Sequence, residues 1–266
     1  MFFFPFRDDN PTRATPYISY VVLGICVLVF LWQVSLGSEQ RAAILAFGMI
    51  PARLFGTESG YALPQVIPAW ATTISSMFMH GGIMHLAGNM LYLWIFGDNV
   101  EDSIGRRNFV LFYVLCGIAA ALSQAMVDPQ SATPMIGASG AIAGVLGAYL
   151  LLFPRANIRC FLFIFIFFRF INVPAFLVLG GWIGLQFVSL GQIDSNVAYV
   201  AHIGGFLAGM VLIPFFKKPD IKLFAKPQSK AFEVVSVRQG GHIPQIGKRH
   251  RRPSGRVGPK GPWEND

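Results

Sequence analysis

The sequence predicts an all-α membrane protein, a bundle of six spanning helices, and three observations carry that expectation. Only 13% of the 266 residues are charged while 54% are hydrophobic, against about 25% charged in a soluble domain. The apolar residues are gathered into runs rather than scattered. Lysine and arginine alternate between successive connecting loops.

A spanning helix needs roughly 20 apolar residues. Six runs qualify, at about 17–36, 81–97, 109–127, 135–153, 172–190 and 197–216. Pro154 closes the fourth. A further apolar stretch, "CFLFIFIFFRFI" (160–171), contains Arg169 and would make the fifth run too long for one span. It is expected to be an interfacial or re-entrant lead-in to span five. Arg7 and Arg13 precede span one, Arg106 and Arg107 lie between spans two and three, and Arg155, Arg159 and Arg169 lie between four and five. The opposite loops, "DPQSAT" (128–133) and "GQIDSN" (191–196), hold no lysine or arginine. Because cytoplasmic loops carry the cationic excess, the expected topology has both termini inside. The long connection 37–80, with Arg41 and Arg53, is the one loop against the pattern, and long loops obey the rule least. At about 44 residues it is also too long to be a passive connector.

Three segments follow: an N-terminal cytoplasmic segment (1–16), a six-helix domain (17–216) and a basic, largely disordered cytoplasmic tail (217–266). The tail holds 12 Lys and Arg against 4 Asp and Glu, while residues 1–216 hold 9 of each. Beside a membrane such a tail is attracted to anionic headgroups, and nucleic acid is not expected as a partner even for "KRHRR" (248–252). The start, "MFFFPFRDDNPTRATP", lacks a basic stretch followed by a cleavable apolar one, so no removable signal peptide is expected. Cys26, Cys116 and Cys160 are odd in number and form no CxxC, which implies neither a disulfide framework nor a metal site.

Polar side chains within spans are costly and mark function by default. Span two carries His85 and Asn89, with His80 just ahead. Span four carries Ser139 and span six His202. In the expected topology all lie near the non-cytoplasmic ends of their spans. Taken singly, each has a bland reading. His85 and Asn89 share a helix face as i, i+4 and could be an interhelical hydrogen-bonding pair. A lone serine in a membrane helix is usually a packing residue. Together they have the parts of a nucleophilic site, because a serine needs a neighbouring base to take its proton and a developing oxyanion needs preorganised donors. Gly205 and Gly209 form a GxxxG that lets helix backbones approach, and Gly137, Gly140, Gly144 and Gly147 give span four a matching smooth surface. If these spans cross there, Ser139 and His202 come within reach. Asp194, in the loop before span six, is available to orient His202, although a dyad needs no acid.

Three motifs, "HGGIMHLAGNM" (80–90), "GASGAIAG" (137–144) and "AHIGGFLAG" (201–209), resemble the signatures of the rhomboid intramembrane serine proteases. Their order matches, as do "FGDNVEDSIG" (96–105) and "VPAFLVLGGWIGLQ" (173–186), and the likeness covers about 17–216. The resemblance implies a six-helix rhomboid bundle with a long first loop between spans one and two. It implies Ser139 as nucleophile and His202 as general base of a dyad, no cofactor, and an oxyanion hole built from His85, Asn89 and the Ser139 N–H. It places Gly137 at the strict glycine of GxSG. The substrates would be transmembrane proteins cleaved near the outer face of the bilayer; the compact helices and short loops point to a bacterial cytoplasmic membrane, with an organellar one as the alternative. The chain departs at one position: some members carry an aromatic residue four places after the serine, packed on the histidine, where this sequence has Ala143. The competing readings are a catalytically silent rhomboid-like protein that binds membrane helices or assists their quality control, and a small transporter. The silent form usually lacks the serine or the histidine, and both are here. A transporter would want intramembrane acids or an internal repeat, and neither is evident.

Overall fold

The structure is a computed structural model that describes residues 2–57, 66–164, 167–190 and 197–226. The chain divides into two units, Met1–Phe232 and Glu233–Asp266. The second unit, Asp194, "KRHRR" and most of the basic tail lie outside the described residues.

Strand β1 (Phe2–Asp8) precedes α1 (Tyr17–Ser35). The connection that follows holds short helices α2 (Gln40–Phe47), α3 (Pro51–Phe55) and α4 (Thr72–Ser75). Then come α5 (Ile83–Ile104), α6 (Arg106–Val127) and α7 (Ser139–Leu152), strands β2 (Asn157–Ile164) and β3 (Phe167–Pro174), and helices α8 (Ala175–Ser189) and α9 (Tyr199–Phe216). The six longest helices sit on the six apolar runs. Of these α1, α6 and α9 are long and apolar enough to cross a membrane, and α7 and α8 are shorter apolar helices. Helix α5 is long, but it ends in the polar sequence "DNVED" (98–102). Exposed side chains such as Leu28 on α1, Val188 on α8 and Phe215 on α9 give the bundle an apolar outer surface, as lipid contact requires.

Helix α7 is the centre of the bundle, with every residue from Gly140 to Tyr149 buried. Its glycines and alanines explain why neighbours can close around it. A Cβ on Gly205 would overlap the Gly140 carbonyl oxygen, and one on Gly209 would overlap that of Gly144. From the α7 side, a Cβ on Gly147 would strike the Phe206 carbonyl. The α7–α9 crossing is therefore backbone against backbone, which in lipid supplies close van der Waals contact where the hydrophobic effect is absent.

The all-α expectation requires a correction. The stretch expected to be an interfacial or re-entrant lead-in to span five is extended, over 160–164 and 167–171. It belongs to a hairpin, β2 and β3, to which β1 adds in the antiparallel order β1-β2-β3. The register pairs Cys160 with Ile171 on β3 and with Pro5 on β1. The run is rich in β-favouring phenylalanine and isoleucine, and Pro154 and Pro174 bound it. One sheet face turns Ile158 and Cys160 into the core. The other gathers Phe4, Phe6, Phe161, Phe168 and Phe170 in ring contact, with the Arg159 guanidinium over Phe6 and Phe170.

The long first connection is structured around the approach to α7. Met49 and Met135 form an isolated bridge, and the Ala52 N–H donates to the Ser131 carbonyl at 3.0 Å. The Gly137 N–H donates to the Ser76 carbonyl at 2.9 Å. Arg53, buried, donates through Nη1 to the Leu45 carbonyl. The bonds to Met135, Ser131 and Gly137 hold residues 131–137 in place, and with them the start of α7.

Candidate active site

Ser139 is the first residue of α7. The first backbone N–H groups of a helix have no partner within it, and they carry the positive end of the helix dipole. Gly137, two residues earlier, has φ +130°, a conformation that L side chains rarely adopt, and a Cβ there would lie 2.7 Å from His85 Nε2. The first glycine of GxSG thus has two reasons to be glycine: its backbone conformation and the imidazole beside it.

His85 and Asn89 lie one turn apart on α5. The Gly81 N–H donates to His85 Nδ1 at 3.3 Å. A neutral imidazole has one acceptor and one donor nitrogen. Nδ1 is the acceptor, so Nε2 carries the hydrogen, and Nε2 is the atom beside Gly137. Asn89 is buried, and its Nδ2 has no hydrogen-bond partner. Two N–H donors of α5 and the N-terminus of α7 thus border one space.

His202 stands in the first turn of α9. Gln124 of α6 accepts the Ala201 N–H at 3.3 Å and caps that helix. His202 Nδ1 lies 2.8 Å from Gln186 Oε1 of α8. The Trp182 ring, also from α8, packs against the imidazole with centroids 5.6 Å apart. Ser139, His202, His85, Asn89, Trp182 and Gly137 all line one cavity of ≈ 1130 Å³. No hydrogen bond joins Ser139 Oγ to His202 among the described residues. Nucleophile–base contacts are often long in an unliganded site and tighten with substrate.

His80 is apart from this group. Its backbone is clamped to α1, where Gln33 Oε1 accepts the His80 N–H at 2.9 Å and Gln33 Nε2 donates to the His80 carbonyl at 3.2 Å. Its ring is fully buried, edge-on to His85, and burial pulls its pKa down to about 4, so the ring stays neutral. The sequence reading leaves three glutamines unassigned, Gln33, Gln124 and Gln186. Each is an amide in an apolar run and carries the same signal as the histidines: a polar group that a membrane helix must shelter. Ala143 is fully buried, and the aromatic partner of His202 comes from α8 instead. No group of three or more His, Cys, Asp or Glu is placed to hold a metal ion among the described residues.

The family described as "Rhomboid domain" matches residues 68–219, which include every residue of this cavity named above. The chain belongs to the rhomboid family. It is 28% identical over 235 residues to the rhomboid protease GluP of Bacillus subtilis, covering 88% of this chain and 41% of that protein. It is 31% identical over 210 residues to the mitochondrial rhomboid protein 1 of Saccharomyces cerevisiae, covering 72% of this chain and 51% of the relative. With the rhomboid protease GlpG of Klebsiella pneumoniae it shares 30% over 145 residues, 54% of this chain and 46% of the other. The chain thus spans about half the length of these rhomboid relatives. Family and apolar helices together make it an integral membrane protein.

Proposed function

We propose that this chain is an intramembrane serine endopeptidase that cleaves transmembrane segments of other proteins. The observation that carries the reading is one cavity lined by Ser139, at a helix N-terminus, by His202, and by two potential donors, His85 Nε2–H and Asn89 Nδ2. Rhomboid relatives named as proteases support the reaction class.

Ser139 Oγ attacks the scissile carbonyl carbon while its proton passes to His202. The carbonyl oxygen becomes an oxyanion held by His85, Asn89 and the Ser139 N–H. His202 returns the proton to the leaving nitrogen, the C–N bond breaks and an acyl-enzyme remains. Water, deprotonated by His202, then releases the acyl group and Ser139 recovers its hydrogen. The six long helices are the six spans. With the cationic loops inside, the cavity opens toward the outer face and both termini are cytoplasmic, in a bacterial inner membrane. The domain runs over 17–216, after an N-terminal segment 1–16. The basic tail from 217 contacts anionic lipid.

The test is a reporter membrane segment in proteoliposomes, combined with a serine-directed phosphonofluoridate. Ser139→Ala and His202→Ala should each abolish cleavage, and Ser139→Ala should also abolish labelling, with insertion unchanged. Cleavage that survives Ser139→Ala sinks the serine mechanism. A native chain that is neither labelled nor active but still binds the segment is the silent, helix-binding rhomboid instead.

A further inference from the structure

We infer that Gln186 is the positioning residue for His202, fixing which imidazole nitrogen is the base, and that Trp182 holds the same ring. The inference rests on the protease reading above. Gln186 is buried, and its Nε2 donates to the Trp182 carbonyl one turn back at 3.1 Å. That bond commits the NH₂ end of the amide, so the end facing His202 Nδ1 at 2.8 Å is the acceptor Oε1. An oxygen acceptor requires a donor, and Nδ1 must therefore carry the hydrogen. Nε2 is left unprotonated, which is the nitrogen form a serine hydroxyl needs as base. The assignment comes from the bonding network, as it must for any amide and imidazole.

Trp182 and Gln186 are i, i+4 on α8, so they share one face. Gln186 fixes the ring by its Nδ1 edge, and the Trp182 ring packs against it at a tilt of 35°. The indole also lies within the roughly 6 Å at which an aromatic face favours a cation, so it attracts the imidazolium formed during attack. This supplies what Ala143 omits. An acid in the place of Gln186 would set the same tautomer but would bury a charge at membrane depth. The neutral amide orients the base without that cost, and without the acid's coulombic support of the imidazolium.

The experiment compares Gln186→Leu, which keeps volume and removes the acceptor, with Gln186→Glu, which keeps an acceptor, in the full chain. Gln186→Leu should lower kcat by about 10–10²-fold at unchanged KM, the scale of a displaced catalytic group, and slow phosphonofluoridate labelling of Ser139 by a similar factor. Gln186→Glu should retain most of the rate. Full activity in Gln186→Leu overturns the inference, and so does an equal loss in Leu and Glu, which would mark a packing role. Should Gln186→Leu fail to insert, Gln186→Asn takes its place, because its shorter amide cannot reach both Trp182 and His202; undiminished turnover there also overturns the inference. Ser139→Ala separates the two levels. If it is dead while Gln186→Leu runs at full rate, the protease stands and only the role of Gln186 falls.

Discussion

The two ends of α7 are treated in opposite ways. At its N-terminal end stand a cavity, the Ser139 hydroxyl and the unpartnered Asn89 Nδ2. At its C-terminal end most polar groups are tied up, the Asp9 Oδ2 oxygen excepted. The Leu151 and Leu152 carbonyls accept from the Phe224 and Ala225 N–H groups at 2.7 and 2.9 Å. Tyr149 donates its hydroxyl to Asp8 at 2.7 Å, and Asp8 also accepts from Asn99 at 3.0 Å. Asn10 donates to the Asn99 side-chain oxygen. Nearby, the buried Glu101 carboxylate takes the Ile18 and Ser19 N–H groups and the Ser19 hydroxyl at 2.8–3.0 Å, capping α1 where it has no cap of its own. A buried donor without a partner costs free energy. The open end leaves a donor free beside a cavity, while the closed end spends nearly all its polar groups on holding strands and helices together.

Substitutions at each end should separate activity from stability. The largest effect belongs to Asn89→Ala, which should lower kcat by about 10²–10³-fold, the value of one oxyanion donor. It should leave resistance to SDS-induced unfolding unchanged or slightly improved, since it deletes an unpaired buried group. An unaltered rate removes Asn89 from the site. Glu101→Ala should do the reverse. Three donors at the head of α1 lose their acceptor, at about 3 kcal/mol, and the molecules that remain folded should cleave with native kcat. A normal unfolding curve for this variant would undo the contrast.

The smallest effect is a pH dependence at the same end. Burial, with the Asp98 and Asp9 carboxylates adding to it, pushes Asp8 up to about 7 from the ordinary 3.8, against the pull of its Tyr149 hydrogen bond. A carboxyl whose folded value is raised favours the folded state most when protonated in both states. Its contribution is complete below about pH 4 and is lost as pH climbs through 7. The melting temperature should therefore fall between pH 5 and pH 8, and Asp8→Asn should flatten that fall. An equal slope in both proteins would show that Asp8 does not set it.

Much of this contrast is written in particular residues. The apolar runs place five of the six long helices within four residues of where they lie, because a segment that must bury every backbone N–H and C=O in lipid has little choice but a helix, while α5 continues seven residues past its run through polar sequence. The glycines of α7 and α9 stand at helical spacing and meet as backbones. The hairpin was less legible. "CFLFIFIFFRFI" is apolar but for Arg169, so its period gives no choice between helix and strand, and only pairing with residues 2–8, some 150 positions earlier, fills the outer edge of β2. Gln186 stayed hidden for a similar reason. One amide on an apolar helix can turn to a lipid-facing, packing or catalytic surface, and the sequence does not say which neighbour α8 presents it to.

The sequence by itself determined that this chain lies in a membrane, that it is rhomboid, and that Ser139, His202, His85 and Asn89 are its chemically costly residues, because hydropathy and motif spacing are local properties of the chain. Only the tertiary structure decided which groups meet the Nδ1 atoms of His85 and His202, that Trp182 of α8 packs against His202, and that residues 2–8 join a sheet. Tautomers, ring stacking and strand pairing depend on partners far apart in sequence, and those partners meet only when the helices have packed.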